Sequence, residues 1–246
     1  EKGDILKEIH YTNGDVEAIF GADGMVVLEQ DYHLQMMDHA FLETEAAAAF
    51  PENGGVRIIS GAQSACYNQF QVAECLGLPM DKVQTIEPQT GGAFGGKANL
   101  AVHIVTALAA LLTGKPCRMA WTRRERFLAG IKRHPLKITM KCAADRGGVL
   151  TALQARIVAD TGAYDELGMV LLDTVVENIT GPYKIPNVKI DAWLVHTNNA
   201  AAGAFRGLGA PEACMALESH ITQMAEMLQV DSIEFRQHNL VQQGDT

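Results

Sequence analysis

Paired cysteines, long apolar runs and an excess of positive charge are all missing from this 246-residue sequence. The five cysteines (Cys66, Cys75, Cys117, Cys142, Cys214) are odd in number, scattered and never spaced as C-x-x-C. That argues against a zinc site or an iron–sulfur cluster held by this chain, and predicts ordinary buried thiols in a reducing cytoplasm. No apolar run reaches the roughly 18 residues a membrane span needs. The longest candidate, 98–112, is interrupted by Asn99, His103 and Thr106. No basic-then-apolar segment opens the sequence, so the expected location is cytoplasmic. Lys and Arg total 20 against 29 Asp and Glu, a net charge of −9. Such a surface is a poor match for nucleic acid or an anionic membrane. Hydrophobic residues at 48% and charged residues at 20% are globular values, which excludes a disordered tail, a collagen-like chain and a mucin-like stalk.

What is present reads as mixed sheet and helix. Residues 1–24 are polar and turn-rich and read as an entry segment, and 25–50 as strand-rich. Strands are expected at 56–60, 83–87, 117–121, 137–143, 149–159 and 188–197. Helices are expected at 66–76 with Gly77 as its cap, at 98–112, in a basic turn around 123–126, from Pro211 to about Leu228, and after Asp231. The 98–112 helix is apolar nearly all round, which predicts burial. Strands and helices do not alternate strictly, so the fold class is α+β, mixed sheets with packed helices. The sequence begins without methionine and stops just after a helical pattern, which predicts a piece of a larger subunit.

The sharpest motif is Gly91-Gly92-Ala93-Phe94-Gly95-Gly96-Lys97, between an expected strand and an expected helix. Its glycines let backbone N–H groups approach an anion or cofactor closely. Gly91, Gly96 and Lys97 fit the phosphate-loop spacing, but Ala98 has no hydroxyl for magnesium. A nucleotide- or phosphate-binding module, a tight turn without ligand, and a segment that docks partner subunits are the alternatives. The second motif, Gly203 to Glu212, sets Arg206 among small residues before a helix. Gly207 and Gly209 form G-x-G, but Glu212 breaks the dinucleotide fingerprint. His33, His39 and Glu43 offer a weak metal reading, because the region reads as extended. Glu43 and Glu45 would act as paired carboxylates only if they line a cleft. Arg123, Arg124 and Arg126 read as a solvated face or an interface patch.

Taken together and in order, these elements resemble the molybdenum hydroxylases, the xanthine dehydrogenase and aldehyde oxidase family. Residues 87–97 are similar to the GGGFGGK signature, with Ala93 in place of its middle glycine, and 204–211 to AFRGFGGPQ. Residues 182–188 (Pro-Tyr-Lys-Ile-Pro-Asn-Val) are similar to the family's YxIPN element, and 39–44 to its HxxLE segment. The resemblance covers 1–246 and corresponds to the first half of the molybdopterin-binding domain, with an internal boundary expected near 60–90. It implies a molybdenum–molybdopterin cofactor, in mono- or dinucleotide form, the cytosine dinucleotide among them. It implies that Gln63 hydrogen-bonds the apical oxo group, that Gly92, Phe94 and Gly95 set their backbone against the pterin and metal, and that Arg206 lies beside the metal centre. No residue here would ligate the metal directly.

The family reaction hydroxylates an electron-poor carbon of an N-heterocycle or an aldehyde with water-derived oxygen. Its base glutamate belongs to the second half, so no catalytic residue is expected in this chain and the isolated chain is expected to be inactive. FAD and iron–sulfur clusters are expected on partner domains or subunits. Three substrate-pocket positions depart from the purine-oxidising pattern: Ala98 in place of a glutamate, Thr174 in place of an arginine, and Leu208 in place of an aromatic residue. A substrate other than xanthine is implied.

Overall fold

The structure is a computed structural model that describes residues 4–99 and 101–245. The ends of the expected 1–246 domain and residue 100 of the expected 98–112 helix lie outside the described residues. The strands are β1 (Ile5–Asn13), β2 (Met25–Leu34), β3 (Ala46–Glu52), β4 (Gly55–Ser60), β5 (Val83–Ile86), β6 (Cys117–Ala120), β7 (Leu136–Asp145), β8 (Leu150–Gly162) and β9 (Asn187–His196). The helices are α1 (Val16–Phe20), α2 (Ala65–Leu76), α3 (His103–Thr113), α4 (Arg123–Ala129), α5 (Gly168–Asn178), α6 (Ala210–Leu228) and α7 (Ser232–Asn239). The mixed α and β architecture is the one expected. The chain divides into two compact units.

The first unit holds residues 4–36, 134–202 and 207–245. Its sheet runs β1-β9-β8-β7-β2. Period-two patterning builds it: Ile138, Met140 and Cys142 of β7, Ala155, Ile157 and Ala159 of β8, and Ala192 and Leu194 of β9 are fully buried. Leu171, Leu172 and Val175 of α5 and Ala216, Leu217, Ile221 and Met224 of α6 join the same core. β8 and β9 are parallel, so the chain must cross over between them, and α5 is that crossover. No expectation covered α5, whose β-branched run hides its helical period. The entry segment expected over 1–24 is instead β1, paired antiparallel with β9, followed by α1. β1 is an edge strand, so only one side of its Ile5-Lys7-Ile9 alternation is half-buried, and the pattern stays polar overall.

The second unit holds residues 37–99, 101–133 and 203–206. Its sheet runs β5-β4-β3-β6, with β4 and β5 parallel. Ala47 and Ala49 of β3, Val56 and Ile58 of β4, Val72 of α2 and Ala107 and Ala110 of α3 form its core. Gly77 and Gly114 close α2 and α3 in the left-handed conformation that helix ends favour. α3 corrects two expectations. It starts at His103 rather than 98, because hydrogen bonds from Gly96 N to Ala93 O (2.8 Å) and Ala98 N to Gly95 O (3.0 Å) continue the loop in turns. It also buries one face only, with Val105, Leu108 and Leu112 exposed. The thiols differ too: Cys142 is buried, but Cys66, Cys75 and Cys214 are exposed and Cys117 is half-buried.

One histidine in each unit is held far below its ordinary pKa. Burial lowers His220 of α6 to a pKa of about 4, and burial with the nearby Lys97 lowers His103 of α3 to about 4. Both are neutral in the folded chain, while an unfolded imidazole takes up its proton near pH 6.5. Protons therefore favour the unfolded chain below that point. The stability these residues confer is whole above pH 6.5 and is lost as pH falls toward 4. Thermal melts should show a midpoint falling through this window, and His220→Gln should flatten the slope. An unchanged slope in that variant would contradict the assignment.

Candidate functional site

The two glycine motifs meet in the second unit. The first loop is pinned at its start by Glu43, whose Oε2 accepts from Gly91 N at 2.7 Å and from Lys97 Nζ at 2.8 Å. The Lys97 hydrogen bond, with the Gly91 N–H, holds the Glu43 carboxyl below its usual range. Lys97 is itself buried, with its ammonium 4.8 Å from the Phe41 ring centre. It points into the protein and is spent on Glu43, which removes the phosphate-loop alternative.

Gln63, just before α2, organises the middle of the loop. Its Oε1 accepts from Gly95 N at 3.0 Å and from Lys97 N at 3.2 Å. The acceptor side of the amide is thus occupied. Its NH2 group has no partner among the described residues, and the side chain is exposed. Phe94 takes a φ of 52°, which is strained for a non-glycine residue, and leaves its ring half-exposed. Gly92 and Gly95 have φ of 94° and 100°.

The second loop packs backbone to backbone on the first. Arg206 N donates to Phe94 O at 2.9 Å. A Cβ at Gly95 would fall 2.5 Å from Ala204 O. Gly92, Phe94, Gly95 and Arg206, singled out in the sequence, therefore lie on one pair of apposed loops, and Gln63 reaches the first of them from the segment before α2. Of the three substrate-pocket positions, Ala98 follows the first loop in this unit. Thr174 and Leu208 belong to the other unit. There Thr174 on α5 donates its hydroxyl to Val170 O at 3.0 Å, and the Gly209 backbone beside Leu208 packs against Thr174.

Beneath the loops lies a buried charge cluster that sequence reading missed. Arg126 is fully buried, contrary to the expected solvated face or interface patch. Its guanidinium pairs with Glu45 at 3.0 Å and Asp38 at 3.4 Å and sits 4.7 Å from the Phe41 ring centre. Lys132 pairs with Asp38 at 3.0 Å. Burial raises the Glu45 pKa, and Arg126 pulls it partly back. Burial also opposes ionisation of Asp38, but the Ala40 N–H, Lys132 and Arg126 bring its pKa below the usual range. Glu43 and Glu45 are thus not a carboxylate pair, since each faces its own cation. His33 stands exposed on β2, in the other unit from His39 and Glu43. No metal-binding group of three or more His, Cys, Asp or Glu occurs among the described residues. Locally, the Thr122–Glu125 capping box fixes the first turn of α4 and Gly130 leaves the space that the Arg126 guanidinium fills, but neither feature reveals the distant carboxylates that bury it.

The comparisons agree with this geometry. A family model described as the molybdopterin cofactor-binding domain matches residues 1–240. A probable xanthine dehydrogenase component of Bacillus subtilis is 42% identical over 98% of the chain, and the match covers 32% of that relative. The nicotinate dehydrogenase large molybdopterin subunit of Eubacterium barkeri is 37% identical over 96% of the chain, covering 55% of that relative. The crystal structure of an aldehyde oxidoreductase from Desulfovibrio desulfuricans superposes with a TM-score of 0.94 at 30% identity, over 99% of this chain and 27% of that one. The chain thus spans about a third to about half of the length of these curated relatives. No described helix is long and apolar enough to cross a membrane. With the apposed glycine loops and the match over 1–240, the chain belongs to the molybdopterin cofactor-binding domain family.

Proposed function

We propose that Gln63, Gly92, Phe94, Gly95 and Arg206 form this chain's share of a molybdenum–molybdopterin site. The enzyme would hydroxylate an electron-poor carbon of an N-heterocycle or an aldehyde, with oxygen taken from water. The observation that carries the reading is Gln63, an exposed side chain held by its carbonyl oxygen on Gly95 and Lys97, with an NH2 that has no partner among the described residues. A fixed hydrogen-bond donor without a protein partner suits an oxygen-rich anionic group. The bare backbone at Gly92 and Gly95 and the half-exposed, strained Phe94 fit a bulky planar cofactor laid against the loop. When bound, the molybdenum centre supplies a two-electron acceptor and activates the transferred oxygen. This chain's residues orient that group: Gln63 donates to it, and the Phe94–Arg206 contact fixes the cradle.

The base glutamate, the FAD and the iron–sulfur clusters belong to parts of the protein outside this chain, in keeping with its partial span of the relatives. Ala98, Thr174 and Leu208, which stand where the purine-oxidising pattern has a glutamate, an arginine and an aromatic residue, carry no charge, which supports a substrate other than xanthine. The nicotinate dehydrogenase and aldehyde oxidoreductase relatives mark the two substrate classes to assay first. A cytoplasmic location accords with the exposed free thiols.

Gln63→Glu tests the role of the amide. The carboxylate keeps an acceptor for Gly95 and Lys97 and loses the NH2 donor. The lost hydrogen bond to a charged group is worth about 1.5–3 kcal/mol, roughly a ten- to hundredfold loss of turnover in the holoenzyme. The new carboxylate also repels an anionic group, so molybdenum content should fall as well. Wild-type turnover in this variant would remove Gln63 from the site.

A further inference from the structure

Two loops carry the proposed site, and something must set one against the other. His39 touches both. Its Nε2 lies 2.6 Å from Ala204 O in the second loop. A Cβ at Gly96 in the first loop would fall 2.9 Å from the imidazole Nδ1, so the loop backbone rests directly on the ring. The ring also stacks on Phe205, with centres 4.3 Å apart and planes 19° from parallel. Arg133 covers the other part of Phe205, 3.9 Å from its ring centre, and donates to Arg206 O at 3.2 Å.

The hydrogen-bond chemistry leaves His39 one usable form. Ala204 O can only accept, so Nε2 must carry the proton. Arg126 Nη2 can only donate, and it lies 3.2 Å from Nδ1, so Nδ1 must be bare. Burial, with Arg126 and Arg133 close by, keeps the ring neutral. The backbone around it is braced. Asp38 accepts from Ala40 N at 2.8 Å, and Ala40 adopts a φ of 50°, unusual for a residue with a side chain. Asp38 in turn holds Arg126 and Lys132.

We infer that His39 is a positioning residue for the cofactor loops: as its Nε2–H tautomer, fixed by buried Arg126, it clamps the Ala204 carbonyl and so sets Arg206 and Phe94 in register with Gly95. Glu43, four residues on, holds the first loop, and His39 holds the second. The histidine and glutamate of the 39–43 segment thereby divide the work of assembling the cradle. Neither touches the cofactor in this assignment. The inference rests on the proposed molybdopterin site for its functional meaning, but its structural content does not depend on it.

The test uses three variants of the complete holoenzyme. His39→Gln keeps a donor within reach of Ala204 O. His39→Asn keeps an acceptor toward Arg126 and loses that donor. Phe205→Leu removes the stacking and keeps both hydrogen bonds. Amide hydrogen exchange is read by mass spectrometry on cofactor-free enzyme, and molybdenum per chain on enzyme loaded in the cell. In His39→Asn, exchange should rise at least tenfold at 91–97 and 203–207, with β3–β6 and α2 unchanged. Molybdenum per chain should fall several-fold. His39→Gln and Phe205→Leu should stay near wild type in both readouts. Equal behaviour of the Asn and Gln variants would overturn the clamp, as would faster exchange throughout 37–133, which would make His39 a general core residue. Absence of molybdenum from the unaltered enzyme would instead sink the cofactor reading while leaving the exchange result to decide the clamp.

Discussion

Arg126→Met should destabilise the second unit by about 3–5 kcal/mol, the cost of breaking a buried ion pair by removing one partner. For a unit of about 100 residues that is a fall of roughly 15–25 °C in its melting midpoint. The reason is the company Arg126 keeps. Glu45 and Asp38 are buried or nearly so, and both lean on its charge. Methionine fills much of the volume, so packing changes little; Glu45 loses its counter-charge and Asp38 keeps only Lys132. Arg126→Lys should recover part of the loss, because it restores the charge without the planar fork that reaches Glu45, Asp38 and His39 together. Differential scanning calorimetry of the complete enzyme reads both. A midpoint within about 2 °C of wild type for Arg126→Met would show that the cluster is not a stabilising element.

Gly95→Ala carries the second large effect, and here the site itself should fail. The backbone φ of 100° is closed to ordinary L-residues. A methyl there would also meet Ala204 O at 2.5 Å, Ala204 C at 2.7 Å and Phe205 N at 3.0 Å. All three are backbone atoms, so no side chain can swing aside. The loops must separate, and the Arg206 N–H to Phe94 O hydrogen bond goes with them. Strain and lost contact together come to about 3 kcal/mol, roughly a hundredfold weaker hold on the cofactor. Molybdenum per chain should drop accordingly, while circular dichroism stays that of the folded protein. Full molybdenum content would mean that the close approach at Gly95 is not needed. Gly77→Ala is the matched control, because that glycine also has positive φ but nothing lies within 4 Å of its Cβ.

The contrast between these two residues shows what a single sequence discloses. Gly95 was legible because glycine density is a direct record of backbone constraint, whereas Gln63, Phe94 and Arg206 were assigned roles only through the resemblance to the molybdenum hydroxylases. The central strands were legible for a similar reason: Ile138-Met140-Cys142 and Leu150 to Ala159 alternate where one face is buried. Arg126 was not legible. An arginine reads as solvated until tertiary structure brings Asp38, Glu45 and His39 around it, and those partners lie some 80 or more residues away in the chain. α5 escaped because β-branched residues such as Val170, Val175 and Val176 weaken the helical signal, and the parallel β8–β9 pairing that demands a crossover is invisible in one dimension. β1 escaped because an edge strand keeps one side wet. His39 was read as a weak metal ligand and as part of the HxxLE-like segment, with no role for its ring, because sequence shows that a ring is present and not that both its nitrogens are already engaged.

The cofactor reading is tested most directly by counting metal. The native complex is isolated from its source with this chain as bait, and molybdenum is measured against protein by plasma mass spectrometry, with selenium read in the same run. About one molybdenum per copy of the chain is expected. No molybdenum in an intact complex would contradict the reading and leave the two glycine loops as structural turns.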